Sequence, residues 1–347
     1  MPHDVFQVQH LTIDEHAEGQ RVDNFLLKHL KGVPKARIYR MVRSGEVRLD
    51  GARVKAESRL HAGGVLRVPP IRLPSRLELE EGAQRALEQR AEDMVEALRV
   101  VYEGHEILAV DKPAGLAVHG GSGIDLGVVE ALRKRRPAGS FLELAHRLDR
   151  DTSGLLLLAS SRPALLWLHQ QLREGLMRKR YLAVVQGFWP SPPAGGPQTL
   201  IKAPLLKTLA PNGERWVRVD ARGQPSLTRV RLLARGQLEG LGDVSLLQCE
   251  PLTGRTHQIR VHLQSKGFPI LGDPKYGDSA SLPVLARAGL RRMFLHAWRL
   301  ELSPIAGAER IALCAEPSEE FARQLRRLGL TAQPAPCVPS SRENMKT

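Results

Sequence analysis

Four of the five residues from Arg147 to Asp151 are charged, and after Thr152-Ser153-Gly154 the chain runs straight into five apolar residues, Leu155-Leu156-Leu157-Leu158-Ala159. An apolar run without polar alternation reads as a buried strand. The junction therefore holds a cluster of ionisable groups at the edge of a core, where low-dielectric packing perturbs their chemistry. In an extended stretch Arg147, Asp149 and Asp151 share one side, which sets a carboxylate between a cation and a second carboxylate. Two readings stay open here. Asp149 is a catalytic group, or an Asp of this stretch closes the turn and pairs with a neighbouring Arg.

Around this junction the chain from residue 100 alternates short apolar runs with loops and occasional helices. Residues 107–110 read as a buried strand that ends at Asp111-Lys112-Pro113-Ala114-Gly115. Leu165, Leu168 and Leu172 line one face of a helix stopped by Gly175, and a strand follows over residues 181–185. Strands at 227–233 and 244–249 succeed each other with no helix between them. That order implies an α+β fold with a mixed, mainly antiparallel sheet and flanking helices. Residues 251–256 read as a loop entering a helix over 257–266, with Thr256 as N-cap and Gly267 as terminator, so Arg255 projects from the loop.

Charge separates a second region. The whole chain of 347 residues carries a formal +14, and residues 21–67 alone hold twelve Lys and Arg against four Asp and Glu, more than half of that excess. A polyanionic partner is the first implication. Val22, Phe25, Leu26 and Leu30 recur at helical spacing, and a second helix over 35–44 gathers Ile38, Met41 and Val42 on one face and Arg37, Arg40 and Arg43 on the other. Gly45 stops it, and Asp50-Gly51 between short alternating runs predicts a hairpin. The bland alternative is a solvated basic face. From 71 to 99 the balance reverses, five Arg against seven Asp and Glu, which reads as an acidic linker with a short helix over 86–99. Residues 1–18 form an extension, and 331–347 read as a disordered tail rich in Pro, Ser and Ala.

Several classes are disfavoured. No apolar run approaches the ~18 to 20 residues of a spanning helix, and Met1-Pro2-His3-Asp4 opens no export signal, so a cytoplasmic protein away from membranes is expected. Cys249, Cys314 and Cys337 stand far apart, which argues against a disulfide framework and a thiolate zinc site. His257 and His262 lie about 140° apart around a helix, so they do not meet at one ion, and no metal is expected. Aromatic residues are only 4%, too few for base-stacking platforms, so nucleic-acid contact should be mainly electrostatic. Paired carboxylates also admit a glycosidic hydrolase, although alternate positions on one stretch fit opposite faces of a sugar poorly.

These motifs resemble two known families. Arg21-Val22-Asp23-Asn24-Phe25-Leu26, the basic helix, Gly45-Glu46-Val47-Arg48-Leu49-Asp50-Gly51 and Val65-Leu66-Arg67-Val68-Pro69-Pro70 resemble the S4 (αL-like) RNA-binding domain, with Gly63-Gly64 where Gly-Asp is usual. The resemblance implies an S4 domain over 19–70, with RNA contacts from Lys28, Lys35, Arg37, Arg40, Arg43, Arg48 and Arg53. His146-Arg147-Leu148-Asp149-Arg150-Asp151-Thr152-Ser153-Gly154 and Thr253-Gly254-Arg255-Thr256-His257-Gln258-Ile259-Arg260-Val261-His262 resemble the signatures of the RluA-type pseudouridine synthases. Asp111-Lys112-Pro113-Ala114-Gly115, with Ala for the frequent Ser, and His119-Gly120-Gly121-Ser122-Gly123 bring the likeness closest to the RluC branch. This implies a catalytic domain over 100–330 that isomerises uridines of 23S ribosomal RNA, three of them in that branch, as a monomer without cofactor or metal. It further implies Asp149 as the catalytic carboxylate, Arg255 as its guanidinium partner, lowering a carboxylate pKa by roughly 1 to 3 units, Tyr181 as the active-site aromatic and Arg147 as the side chain replacing the flipped base. The alternatives are a non-catalytic S4-type ribosome-assembly RNA-binding factor, or another RluA-type synthase acting on a different RNA site.

Overall fold

A computed structural model describes residues 8–30, 33–71, 76–121, 126–190, 198–209, 215–303 and 310–330. The expected tail at 331–347 and residues Ser122 and Gly123 of the glycine run lie outside this set. The chain divides into two compact units, Met1–Gln89 and Arg90–Thr347.

The first unit comprises β1 (Gln9–Thr12), α1 (Val22–His29), α2 (Lys35–Ser44), β2 (Arg48–Leu49), β3 (Ala52–Arg53) and β4 (Val65–Val68). Its antiparallel sheet has the order β1-β4-β2-β3. Val22, Phe25 and Leu26 of α1 and Ile38, Met41 and Val42 of α2 are buried against Leu66 and Val68, as their spacing requires. Gly45 ends α2 in the left-handed region, its φ of 75° being one that L side chains rarely adopt. Asp50 and Gly51, at φ 50° and 82°, form the tight primed turn between β2 and β3.

The acidic segment is more ordered than its sequence suggested. Helix α3 (Arg76–Glu96) runs for 21 residues. The Leu, Glu, Ala, Gln and Arg that dominate it are the strongest helix formers, and this outweighs the charge run that reads as a spacer. No described helix is long and apolar enough to cross a membrane.

The second unit is built on a ten-stranded sheet. Its strands are β5 (Arg99–Gly104), β6 (Ile107–Lys112), β7 (Glu143–Leu144), β8 (Ser153–Ala159), β9 (Arg178–Gln186), β10 (Thr199–Lys202), β13 (Leu227–Leu238), β14 (Gly242–Pro251), β15 (Leu295–Leu302) and β16 (Ile311–Cys314), with β11 (Leu205–Leu209) and β12 (Arg215–Val219) pairing apart. The main path is β10-β13-β14-β9-β15-β8-β6-β5, antiparallel except where β15 runs parallel to β8. Helices α4 (Val128–Lys134), α5 (Arg162–Arg173), α6 (Gln258–Ser265), α7 (Leu282–Arg287) and α8 (Glu319–Arg327) accompany it. The architecture is the α+β arrangement with a mixed, mainly antiparallel sheet. Every residue of β8 is buried, which is why its sequence lacks alternation.

Candidate active site

Entry into β8 sets the first half of the site. Leu148 is buried in the core while Arg147 is exposed and Asp149 half-buried, so these alternate residues face away from the packing as an extended stretch demands. The stretch ends at Asp149, whose carbonyl accepts from Thr152 N–H at 3.1 Å to close a turn. Asp151 is therefore across a turn from Asp149 and pairs with Arg150 at 3.1 Å, a correction to the shared side that an extended chain implied. His146 is fixed by Leu157 N–H, which donates to Nε2 at 3.1 Å, and burial lowers its pKa to about 4. Gly154, at φ 106°, leaves the turn where any Cβ would collide with the backbone of Ala297 on β15, so only glycine permits the β8–β15 pairing.

Lys112, fully buried at the end of β6, secures the turn from beneath. Its Nζ donates to the carbonyls of Pro113, Leu116 and Arg150 at 3.0, 2.9 and 2.9 Å. Burial pulls its pKa to about 7, while the three acceptors match the three N–H donors of the charged form.

The second half comes from α6, and here the expected partner is displaced. Arg255 is exposed, with its Nε 3.5 Å from the Pro225 carbonyl, and is not paired with Asp149. The guanidinium at Asp149 belongs to Arg260, whose Nη1 donates to Oδ2 at 2.8 Å. Gln258 accounts for the difference. Its Oε1 accepts from Thr253 Oγ1 and Arg255 N–H at 2.8 and 3.0 Å, and its Nε2 donates to Leu227 O and Thr228 Oγ1 at 2.8 and 3.0 Å. The loop is thereby bolted to β13 with the Arg255 side chain outward. The helix opens one residue later than expected, capped by His257 in the left-handed region at φ 53° rather than by Thr256. Arg260 then falls in its first turn, turned inward between Ile259 and Val261.

Arg260 is shared. Its Nε and Nη2 donate to Asp273 Oδ2 and Oδ1, both at 2.7 Å, and its guanidinium lies 5.0 Å from the Tyr276 ring centroid. Burial opposes its charge, but Asp273 and Asp149 outweigh it and hold the pKa above the ordinary arginine value. Asp273 is itself fully buried, and despite that burial the Arg260 fork and the backbone N–H groups of Tyr276 and Lys275 keep its carboxyl below the usual range. One carboxylate thus neutralises Arg260 inside the protein, and the other, Asp149, keeps 30% of its side-chain surface exposed.

His257 also faces Asp149. Val217 N–H donates to Tyr276 Oη at 3.0 Å, and Tyr276 Oη lies 2.8 Å from His257 Nδ1. With the hydroxyl proton directed to Nδ1, the ring proton is assigned to Nε2, which faces Asp149 Oδ1 at 3.7 Å. Burial lowers the His257 pKa, with Asp149 acting against it. His262 is engaged elsewhere, through Thr228 Oγ1 and the Ala203 carbonyl at 2.8 and 3.0 Å. Tyr181, on β9, packs against the core, and burial together with the Asp149 charge pushes its pKa far above normal, so its hydroxyl stays protonated.

Sequence reasoning thus brought Asp149 and Tyr181 into one neighbourhood and missed Arg260, Asp273, His257 and Tyr276. Helical periodicity gave no signal for Arg260, which stands about 100° around the helix from each of Ile259 and Val261; it is its burial in the structure that demands a carboxylate partner. In the first unit, Lys28, Lys35, Arg37, Arg40, Arg43, Arg48 and Arg53 are all exposed.

Comparison with known proteins gives this arrangement a lineage. The family described as RNA pseudouridylate synthase matches residues 106–265, and the S4 domain family matches residues 20–66. Ribosomal large subunit pseudouridine synthase C of Escherichia coli (strain K12) is 46% identical over 92% of this chain and 95% of its own length. The protein of the same name from Pasteurella multocida (strain Pm70) is 44% identical over 92% and 94%. Among solved structures, Human RNA Pseudouridylate Synthase Domain Containing 1 aligns with a TM-score of 0.52 at 26% identity, covering 67% of this chain and 96% of that one. The chain therefore belongs to the RNA pseudouridylate synthases, with an S4 domain ahead of the catalytic fold.

Proposed function

We propose that this enzyme converts uridines of large-subunit (23S) ribosomal RNA to pseudouridine, with the three targets of the RluC branch, as a cytoplasmic monomer needing neither metal nor cofactor. The two bacterial relatives, similar over nine-tenths of the chain, carry the large ribosomal subunit in their names. The observation that carries the chemistry is the Asp149 carboxylate, anchored through Oδ2 on Arg260 while Asp273 answers the Arg260 charge from behind.

The reaction breaks the bond from ribose C1′ to uracil N1, turns the base and joins C1′ to C5, with a proton lost from C5 and one gained at N1. Asp149 acts at the sugar and base. Held by one oxygen, it offers Oδ1 to the substrate in a fixed position, so little reorganisation remains for the transition state. Tyr181 packs on the flipped uracil and, being protonated, serves as a hydrogen-bond donor. A base in folded RNA has to leave its stack, at a cost of a few kcal/mol. Exposed Arg147, two residues before Asp149, fills the space it leaves. Lys28, Lys35, Arg37, Arg40, Arg43, Arg48 and Arg53 take RNA phosphates, which position the substrate more than they read it. Mapping pseudouridine in ribosomal RNA from cells with and without the protein tests the proposal; an unchanged map would defeat it.

A further inference from the structure

A cavity of about 670 Å³ borders the catalytic turn without including Asp149; Arg99, Asp111, Arg150, Asp151, Arg291 and Arg292 stand in its wall. Two of its arginines are matched, Arg99 by Asp111 at 3.0 Å and Arg150 by Asp151 at 3.1 Å. Arg292 is not. Its Nη2 donates to Ser153 Oγ at 2.5 Å, its Nε donates to the Met293 carbonyl at 3.2 Å, and its guanidinium lies 4.6 Å from the Phe321 ring centroid. All three partners are neutral. Ser153 adds no charge: its hydroxyl proton goes to His296 Nδ1 at 2.8 Å, because His296 Nε2–H is committed to the Ala315 carbonyl at 2.8 Å.

Among the described residues neither Arg292 nor exposed Arg291 forms an ion pair. Glu320 and Asp111 reach Arg292 only through space, and burial lowers its pKa to about 10. A largely buried guanidinium facing a cavity with neutral partners lacks a counter-ion. With Lys112 the wall holds five cationic side chains against Asp111, Asp151 and Glu320, a formal excess of two. A phosphate group supplies one to two negative charges and oxygens spaced for a planar guanidinium fork. The volume suits a group of nucleotide size.

We infer that this cavity is a phosphate-binding subsite built on Arg292 and Arg291. The phosphate comes either from the backbone of the RNA substrate, an arm that rests on the function proposed above, or from free phosphate in solution.

The test uses the full chain and the variants Arg292→Gln and Arg291→Ser. Calorimetry with inorganic phosphate reads the free-anion arm. The salt dependence of affinity for a large-subunit ribosomal RNA fragment reads the RNA arm, and uridine isomerisation by the unaltered enzyme runs alongside. Phosphate affinity should fall roughly tenfold or more in Arg292→Gln. If the ligand is an RNA phosphate, the slope of log affinity against log salt should drop by about 0.7 to 0.9 in Arg291→Ser. Either loss alone supports the subsite and names its source. If Arg292→Gln does not fold, Arg291→Ser decides, since its side chain is exposed. Wild-type values for both readouts in the folded variants overturn the inference. Failure of the unaltered enzyme to isomerise the RNA would count against the proposed function and leave the phosphate result standing.

Discussion

In the first unit Arg37, Arg40, Arg43 and Arg53 point into solvent and form no ion pair among the described residues. In the second, Asp149, Arg260 and Asp273 form a chain of charges in which the middle and last members are almost wholly buried. The same residue types serve two regimes. Exposed charges interact through high dielectric and salt, so each is weak and replaceable. Buried charges are committed to single partners, so removing one leaves another stranded.

The contrast can be broken at several points, and the largest effect belongs to Asp149→Asn. Arg260 keeps its bidentate partner in this variant, so the fold should persist and RNA affinity should hold, while turnover falls by on the order of 10³-fold or more. Single-turnover pseudouridine formation checks it, and normal turnover would end the proposed mechanism. Next comes Arg260→Met, which strands Asp273 and should destabilise the second unit by roughly 3 to 5 kcal/mol. A urea midpoint measures this, and adding Asp273→Asn should recover part of the loss.

His146 sharpens the comparison through pH. Its pKa is about 4 when folded against 6.5 in the unfolded chain, so acidification protonates the unfolded chain first. Stability should therefore be intact above about pH 6.5 and fall as pH drops towards 4, by up to about 3 kcal/mol from this group. His146→Gln retains an acceptor for Leu157 N–H and should lose this acid-dependent component in unfolding curves taken across that range. The smallest effect should come from single changes such as Arg40→Ser on α2. Each should leave isomerisation at saturating RNA unaltered and reduce the salt slope of binding by about 0.7 to 0.9. An unchanged slope would remove α2 from the RNA-facing surface.

The first unit was the more legible of the two because its signals are local. The Ile38, Met41 and Val42 stripe and the Asp50-Gly51 turn each settle their structure within one or two turns of chain. The apolar run before Ala159 likewise announced β8 and set Asp149 at its entrance. Asp149's partner was not local. Choosing between Arg255 and Arg260 depended on Gln258 reaching Leu227 and Thr228 on another strand, which no helical periodicity encodes. Asp273 and Tyr276 were silent for the same reason, since a buried carboxylate between Gly272 and Pro274 carries meaning only once Arg260 is known to face it.

The parallel contact between β8 and β15 joins Ser153 to His296, 143 residues further along. During synthesis from the N-terminus, a nascent chain can display a finished S4 domain while the strand beside the catalytic turn has not yet been made. The basic helix and hairpin of the first unit are thus complete in the nascent chain before the strand that closes on Gly154 exists.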